Sequence, residues 1–391
     1  MGWRLLLLMT SMYFTDCCKR ISPSSDNYFS ASNNEFGLKL YQKLATKRQN
    51  NVIISPLSVA TALSMTSLGA KGESLKQFEK LLNLTDSVHD QYNRTIDSLY
   101  GEKDLVFKMA NAVWIDDSSE VLGSFEKNIA KSYSSQSNRL QFKKAEKARE
   151  IINKWVSEKT DNKIPELLPS NSISAATRLV LTNAVYFKGL WKIRFNSTER
   201  MEFHSLNGEK KQVEFLLVKS AFKAGFNPAY NVRVLELPYT NNLSMYILMP
   251  KNAKEFSKFE RDLNASTLRY ILDNTQKPTQ PFQVAIPKFE ISFNSKLNDK
   301  LKEMGLTDVF DESKSDLSAI DGARGLYISG VYHQGFIGID KDGTEASAAS
   351  GVVANWRSMP PQPFTANQPF IFIIRDNFNA LNLFIGRYVK P

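Results

Sequence analysis

Two periods of apolar and polar positions alternate along the chain. Asn33 to Lys47 sets Phe36, Leu38, Leu40, Tyr41 and Leu44 at roughly helical spacing. In the run NVIISPLSVATALSMTSLGAKGES, Asn51–Ile54 predicts a short strand, Ser55 a helix cap and Pro56 the first helical position. Leu57, Val59, Ala60, Leu63, Ser64, Ser67 and Leu68 are small or apolar nearly all round, which predicts a buried helix ended by Gly69 and Gly72. The hydroxyls of Ser55 and Ser58 then need partners inside the core. Val106–Ile115 and Leu179–Phe187 read as buried strands. Between them, Ala145–Glu158 reads as an amphipathic helix with Ile151, Ile152 and Trp155 on one face. Val232–Pro250 predicts two alternating strands about a TNN turn, and Phe282–Ile291 predicts another strand. Lys296–Met304 reads as a helix stopped by Gly305, Val331–Asp340 as a strand, and Pro369–Ile374 with Leu381–Val389 as a closing hairpin. Helices dominate the first half and strands the second, so the expected class is α+β with large sheets.

Composition narrows this to a globular protein with a large core: 391 residues, 42% apolar and 23% charged. No linker, charge block or internal repeat divides the chain, so residues 19–391 are expected to form one domain. Arg4 precedes an apolar run from Leu5 to Phe14, too short to span a membrane, and residues 1–18 read as a signal peptide. Both cysteines, Cys17 and Cys18, fall at that junction, which leaves the body without a disulfide. Sequons at Asn83, Asn93, Asn196, Asn242 and Asn264 agree with a secreted, extracellular glycoprotein.

The net charge of +10 favours sulfated glycans and acidic partners. Candidate stripes are Lys39, Lys43, Lys47 and Arg48, and Lys143, Lys144, Lys147 and Arg149, although each also reads as a solvated helix face. Around His89–Lys108, basic Arg94, Lys103 and Lys108 are mixed with Asp90, Asp97, Glu102 and Asp104, unlike a strongly basic heparin helix. Glycan modulation is left open, and neither a nucleic acid nor a membrane span is expected. The chain is expected to be a monomer.

Motifs for catalysis are missing. His89, His204 and His333 lack HExxH spacing, and there is no CxxC, GxSxG, P-loop or GxGxxG. No enzyme activity, metal or cofactor is expected.

Several blocks together resemble the serpins: NVIISPLSVATALSMTSLGAKGES, LTNAVYFKGLWKIRF, VLELPY, IDKDGTEASAAS, and NQPFIFIIRD followed by LFIGRYVKP. The resemblance runs from about Asn33 to Pro391. It implies a fold of three β-sheets with eight or nine helices and an exposed reactive-centre loop at about 341–364. It also implies inhibition as a suicide substrate. The protease cuts the loop, the N-terminal half inserts into the main sheet, and the acyl-linked protease is trapped. About a dozen new backbone pairs, at about 1 kcal/mol each, make that step irreversible.

The loop sequence suits that demand. From Thr344 to Met359 there is no proline, which could not join a central strand, and prolines begin at Pro360. Thr344, Ala346, Ala348, Ser350 and Val352 would share one small, neutral face, while the charge of Glu345 falls on the other. Counted from the hinge glycine Gly343, the family spacing puts the reactive bond at Arg357–Ser358, beside Asn355, Trp356 and Met359. An arginine there suits a trypsin-like serine protease. A neighbouring register would cut after Trp356 and favour a chymotrypsin-like enzyme. Other readings are a non-inhibitory serpin (carrier, storage protein or chaperone) or a cross-class inhibitor of cysteine proteases.

By the same resemblance, Ser55, Ser58, Asn183 and His333 match the polar cluster called the shutter. Trp191 and Phe195 match aromatics near the top of the sheet, and His204 is structural. One residue departs from the family. Lys341 stands where a glutamate usually pairs with a lysine supplied here by Lys288. Two cations would repel unless Asp342 or Glu290 intervenes, so a looser hinge is expected.

Overall fold

The computed structural model describes residues 25–46, 49–85, 87–100, 104–275, 280–341 and 362–391. The expected leader and Lys47, Arg48, Lys103 and Glu102 lie outside them. So do Asp342, Gly343, Thr344, Glu345, Ala346, Ala348, Asn355, Trp356, Arg357, Ser358 and Met359.

The helices are α1 (Ser25–Leu44), α2 (Pro56–Ser67), α3 (Gly72–Leu82), α4 (Val88–Tyr100), α5 (Gly123–Tyr133), α6 (Ala145–Lys159), α7 (Phe256–Asp262), α8 (Ala265–Asp273), α9 (Asn298–Glu303) and α10 (Ser318–Asp321). The strands are β1 (Val52–Ile54), β2 (Leu105–Asp116), β3 (Ser137–Leu140), β4 (Leu179–Gly189), β5 (Ser197–His204), β6 (Lys210–Ser220), β7 (Ala224–Asn227) and β8 (Val232–Pro238). They continue with β9 (Leu243–Pro250), β10 (Phe282–Pro287), β11 (Phe289–Lys296), β12 (Ile328–Ile339), β13 (Phe364–Thr365), β14 (Phe370–Asp376) and β15 (Leu381–Tyr388). Three sheets result among the described residues, ordered β11-β12-β4-β2-β3, β1-β15-β14-β9-β8-β7 and β13-β10-β6-β5.

The five-stranded sheet is covered on both faces, and alternation assigns its residues. Val113, Ile115, Leu181, Val185, Phe187, Val331 and Ile337 join the main core. Ala110, Ala112, Trp114, Val180, Ala184 and Tyr332 face α6, against Ala148, Ile152 and Val156. Several residues on that second face are alanines, so α6 lies close to the sheet. At the centre, β12 and β4 run parallel, with His333 opposite Asn183. Their neighbours β11 and β2 pair with them antiparallel.

Several expectations shift. α2 ends at Ser67, but Gly69 is needed for packing, because a Cβ there would sit 2.2 Å from Ile320. Gly72, at φ +53°, opens α3 rather than ending α2. On α6 the buried stripe is Ala148, Ile152 and Val156, whereas Ile151 is 40% exposed. The segment read as one strand over Phe282–Ile291 breaks at Pro287-Lys288. β10 pairs with β6 and β11 with β12, in different sheets.

Candidate functional site

A row of polar side chains crosses the middle of the five-stranded sheet. Register places Asn111 of β2 opposite Asn183 of β4, and Asn183 opposite His333 of β12. All three point away from α6, toward α2. There Pro56 opens the helix while the Ser55 side chain accepts from the Ser58 backbone N–H at 3.3 Å. Asn183 Nδ2 donates to the Ser58 carbonyl at 2.8 Å, to Ser58 Oγ at 2.6 Å and to Asn111 Oδ1. Its Oδ1 meets His333 Nδ1 at 2.5 Å. An amide oxygen can only accept, so His333 carries its proton on Nδ1. Nε2 is then a buried lone pair without a partner among the described residues. Burial pushes the His333 pKa down to about 3, so the ring is neutral at physiological pH.

The structure thus brings together Ser58, Asn183 and His333 from distant parts of the sequence, with Ser55 as the cap beneath. Asn111 was missed by sequence reading. It sits in VFKMANAVWI as the one polar residue besides Lys108, and that is the available signal.

The upper end of β12 leads into the undescribed segment. Trp191 Nε1 donates to the Asp340 carbonyl at 2.9 Å. The indole stacks on Tyr239, with centroids 4.4 Å apart, and meets the Phe195 ring edge-on at 5.8 Å. Tyr239 lies so close to β4 that a Cβ on Gly189 would come within 2.7 Å of it. This aromatic stack anchors the last backbone group before Lys341.

A cleft of about 770 Å³ opens beside it, lined by Lys163, Lys188, Lys288 and Lys341 along with Glu214, Glu290 and Asp340. Lys288 pairs with Glu214 of β6 at 3.2 Å. Hydrogen bonds from Lys288 and Thr198, with the charge of Lys341 nearby, hold the Glu214 carboxyl below its usual range. Among the described residues, the carboxylate that pairs with Lys288 and feels the charge of Lys341 is Glu214, not Glu290, and Asp342 lies outside them. Glu214 lies 74 positions before Lys288, on a strand the sequence reading did not predict.

Elsewhere, His204 lies at the surface beside Glu202, at 2.8 Å, and Lys210 also pairs with Glu202, at 3.0 Å. His89 contacts the Tyr133 hydroxyl at 2.5 Å, and burial lowers its pKa. Of the basic stripes, Lys39 pairs with Glu35 and Lys43 with Glu303, while Arg149 pairs with Glu146 and Glu166. Lys143, Lys144 and Lys147 are exposed and have no ion pair among the described residues. No group of metal-binding side chains is found among the described residues, and no described helix is long and apolar enough to cross a membrane.

The profile of the family described as Serpin (serine protease inhibitor) matches residues 31–391. The chain is 35% identical to a leukocyte elastase inhibitor of Homo sapiens over 93% of this chain and 99% of that protein. It is also 35% identical to one of Xenopus laevis, over 91% and 97%. Uncleaved ovalbumin superposes with a TM-score of 0.85 at 26% identity, covering 93% of this chain and 100% of that one. Native protease nexin-1 with heparin gives 0.85 at 29%, covering 94% and 100%. A serpin of Manduca sexta gives 0.82 at 26%, covering 92% and 98%. The chain belongs to the serpin family of protease inhibitors and is not an enzyme.

Proposed function

We propose that the protein is a secreted inhibitor of trypsin-like serine proteases, acting as a suicide substrate at Arg357–Ser358. The protease serine attacks the Arg357 carbonyl, the Arg357–Ser358 bond breaks, and Ser358 leaves with a free amine. The acyl ester remains on Arg357. The segment from Gly343 to about Val353 then adds to the main sheet before water reaches the ester.

The carrying observation is where the loop is tethered. β12 ends at Ile339, Lys341 follows, and β4 lies beside β12 in parallel. A segment turning back at 341–343 runs antiparallel to both strands. It can replace one slanted parallel ladder with two antiparallel ones. The small face of Thr344, Ala346 and Ala348 suits the alanine-lined surface beneath α6. Loop chemistry of this kind favours an inhibitor over a carrier or storage role.

The elastase inhibitors among the relatives favour a second reading, in which a neighbouring register cut after Trp356 serves a chymotrypsin-like target. Secretion is supported by the sequons at Asn83, Asn196, Asn242 and Asn264, all of which are exposed. Asn93 is partly buried and its amide donates to the Lys131 carbonyl at 3.3 Å. Sulfated glycans would find the uncompensated lysines of 143–147, a proposal that retention on heparin resin, lost on Lys→Gln substitution there, would test.

Mixing the purified protein with trypsin, chymotrypsin, elastase and a cysteine protease decides among these readings. An SDS-stable complex with trypsin, and a released peptide beginning at Ser358, is expected. Cleavage without a complex from any of them would overturn the inhibitory reading.

A further inference from the structure

Arg233, near the start of β8, reaches out of its own sheet to the segment that follows the loop. Its Nη2 donates to the Pro363 carbonyl at 2.6 Å. Its guanidinium carbon lies 4.8 Å from the centroid of the Phe364 ring. One residue thus supplies a charge-assisted hydrogen bond and a cation–π contact to two consecutive stem residues.

Other anchors of this stem lie further along the chain. β13 pairs with β10 in parallel through Phe364 and Thr365. Ala366 N–H donates to Ala285, and Asn367 accepts from the His204 N–H at 2.8 Å. Gln368 donates to the Pro250 carbonyl at 2.6 Å. Among the described residues, the Arg233–Pro363 bond is therefore the hydrogen bond nearest to Arg357–Ser358 on its C-terminal side. Between Pro363 and the Arg357–Ser358 bond lie only Ser358, Met359, Pro360, Pro361 and Gln362. Two of these are prolines, whose rings fix φ, so fixing the base of this five-residue link restricts where Ser358 can go.

We propose that Arg233 is a positioning residue for the inhibitory reaction, clamping the C-terminal stem of the reactive loop at Pro363 and Phe364. The proposal rests on the loop reading above. A protease must hold both sides of the bond it cuts. A stem already ordered on the leaving-group side removes part of the ordering cost of that encounter. After cleavage the same clamp retains the new amine terminus while the other half of the loop moves into the sheet. Arginine suits the position because lysine keeps the charge but has neither the fork nor the planar face.

The test compares wild type with Arg233→Ala and Arg233→Lys, reading hydrogen exchange over residues 362–368, the second-order rate of loop cleavage by trypsin, and thermal stability. In Arg233→Ala, stem exchange should rise about tenfold, as for loss of one charge-assisted hydrogen bond. The trypsin rate should fall with it, and Arg233→Lys should lie between. Unchanged stem exchange overturns the proposal, and so does faster exchange with an unchanged trypsin rate. A rise in exchange shared equally by β8 and β9, with lower thermal stability, also overturns it by showing that Arg233 only supports its strand. If wild type is cleaved without forming a complex, the inhibitory reading fails while the exchange and cleavage rates still decide the role of Arg233.

Discussion

Acidification tests the polar row through His333. The folded protein holds this imidazole neutral, with a pKa of about 3 against an ordinary 6.5. Between those values the unfolded chain binds a proton that the folded chain does not, so stability falls as pH drops through the window. Above about pH 6.5 both states are neutral and the term vanishes. At about 1.4 kcal/mol per pH unit, the loss is about 2 kcal/mol at pH 5 and approaches about 5 kcal/mol near pH 3. The control is His333→Gln, which keeps a side-chain N–H for Asn183 and cannot titrate. Urea midpoints of both proteins at pH 7.5, 6.0 and 5.0 separate this residue from the carboxylates, which titrate in both. Wild type should lose about 2 kcal/mol more than the variant by pH 5. Parallel losses would refute the argument that His333 is neutral because it is buried in the row.

Three further substitutions probe the rest of the framework. Glu214→Gln removes the carboxylate that pairs with Lys288 and lies near the charge of Lys341, and should speed polymer formation on mild heating at low salt but not at high salt, where surface charge is screened. Gel filtration after heating reads that outcome. Ala348→Pro removes a backbone donor from the segment proposed to become a central strand, so trypsin should still cut the loop while the SDS-stable complex disappears from the gel. Arg387→Met strands the buried Glu260 carboxylate, which Arg387 pairs at 2.7 Å and the Tyr41 hydroxyl meets at 2.5 Å. That should cost about 3–5 kcal/mol in chemical denaturation, with the reactive loop still cleaved at its usual bond.

Where structure depends on neighbours in sequence, the chain was legible. Ser55-Pro56 and the small residues after it foretold a capped, buried helix, and two unpartnered serines foretold polar company inside the core. Reading failed where a decision belongs to distant strands. Phe282–Ile291 looks like one apolar strand because each half is one, and only β6 and β12 show that the halves serve different sheets. β5 escaped notice because its exposed edge carries Glu199, Arg200 and Glu202, charges that suit an edge strand but hide strand character. Glu214 and Arg233 escaped for the same reason, since each acts on a residue more than 70 positions away. Ile151 was misassigned because helical spacing alone does not say which side of α6 meets the sheet.

The most direct test is the thermal stability of the protein before and after one cut in the loop between Val353 and Pro360, by a protease that it does not trap. If the freed segment joins β12 and β4 as a new central strand, its dozen or so backbone pairs add on the order of 10 kcal/mol. The midpoint of unfolding should then rise by about 10 °C. An unchanged or lower midpoint, with the cut confirmed by mass, would contradict the account.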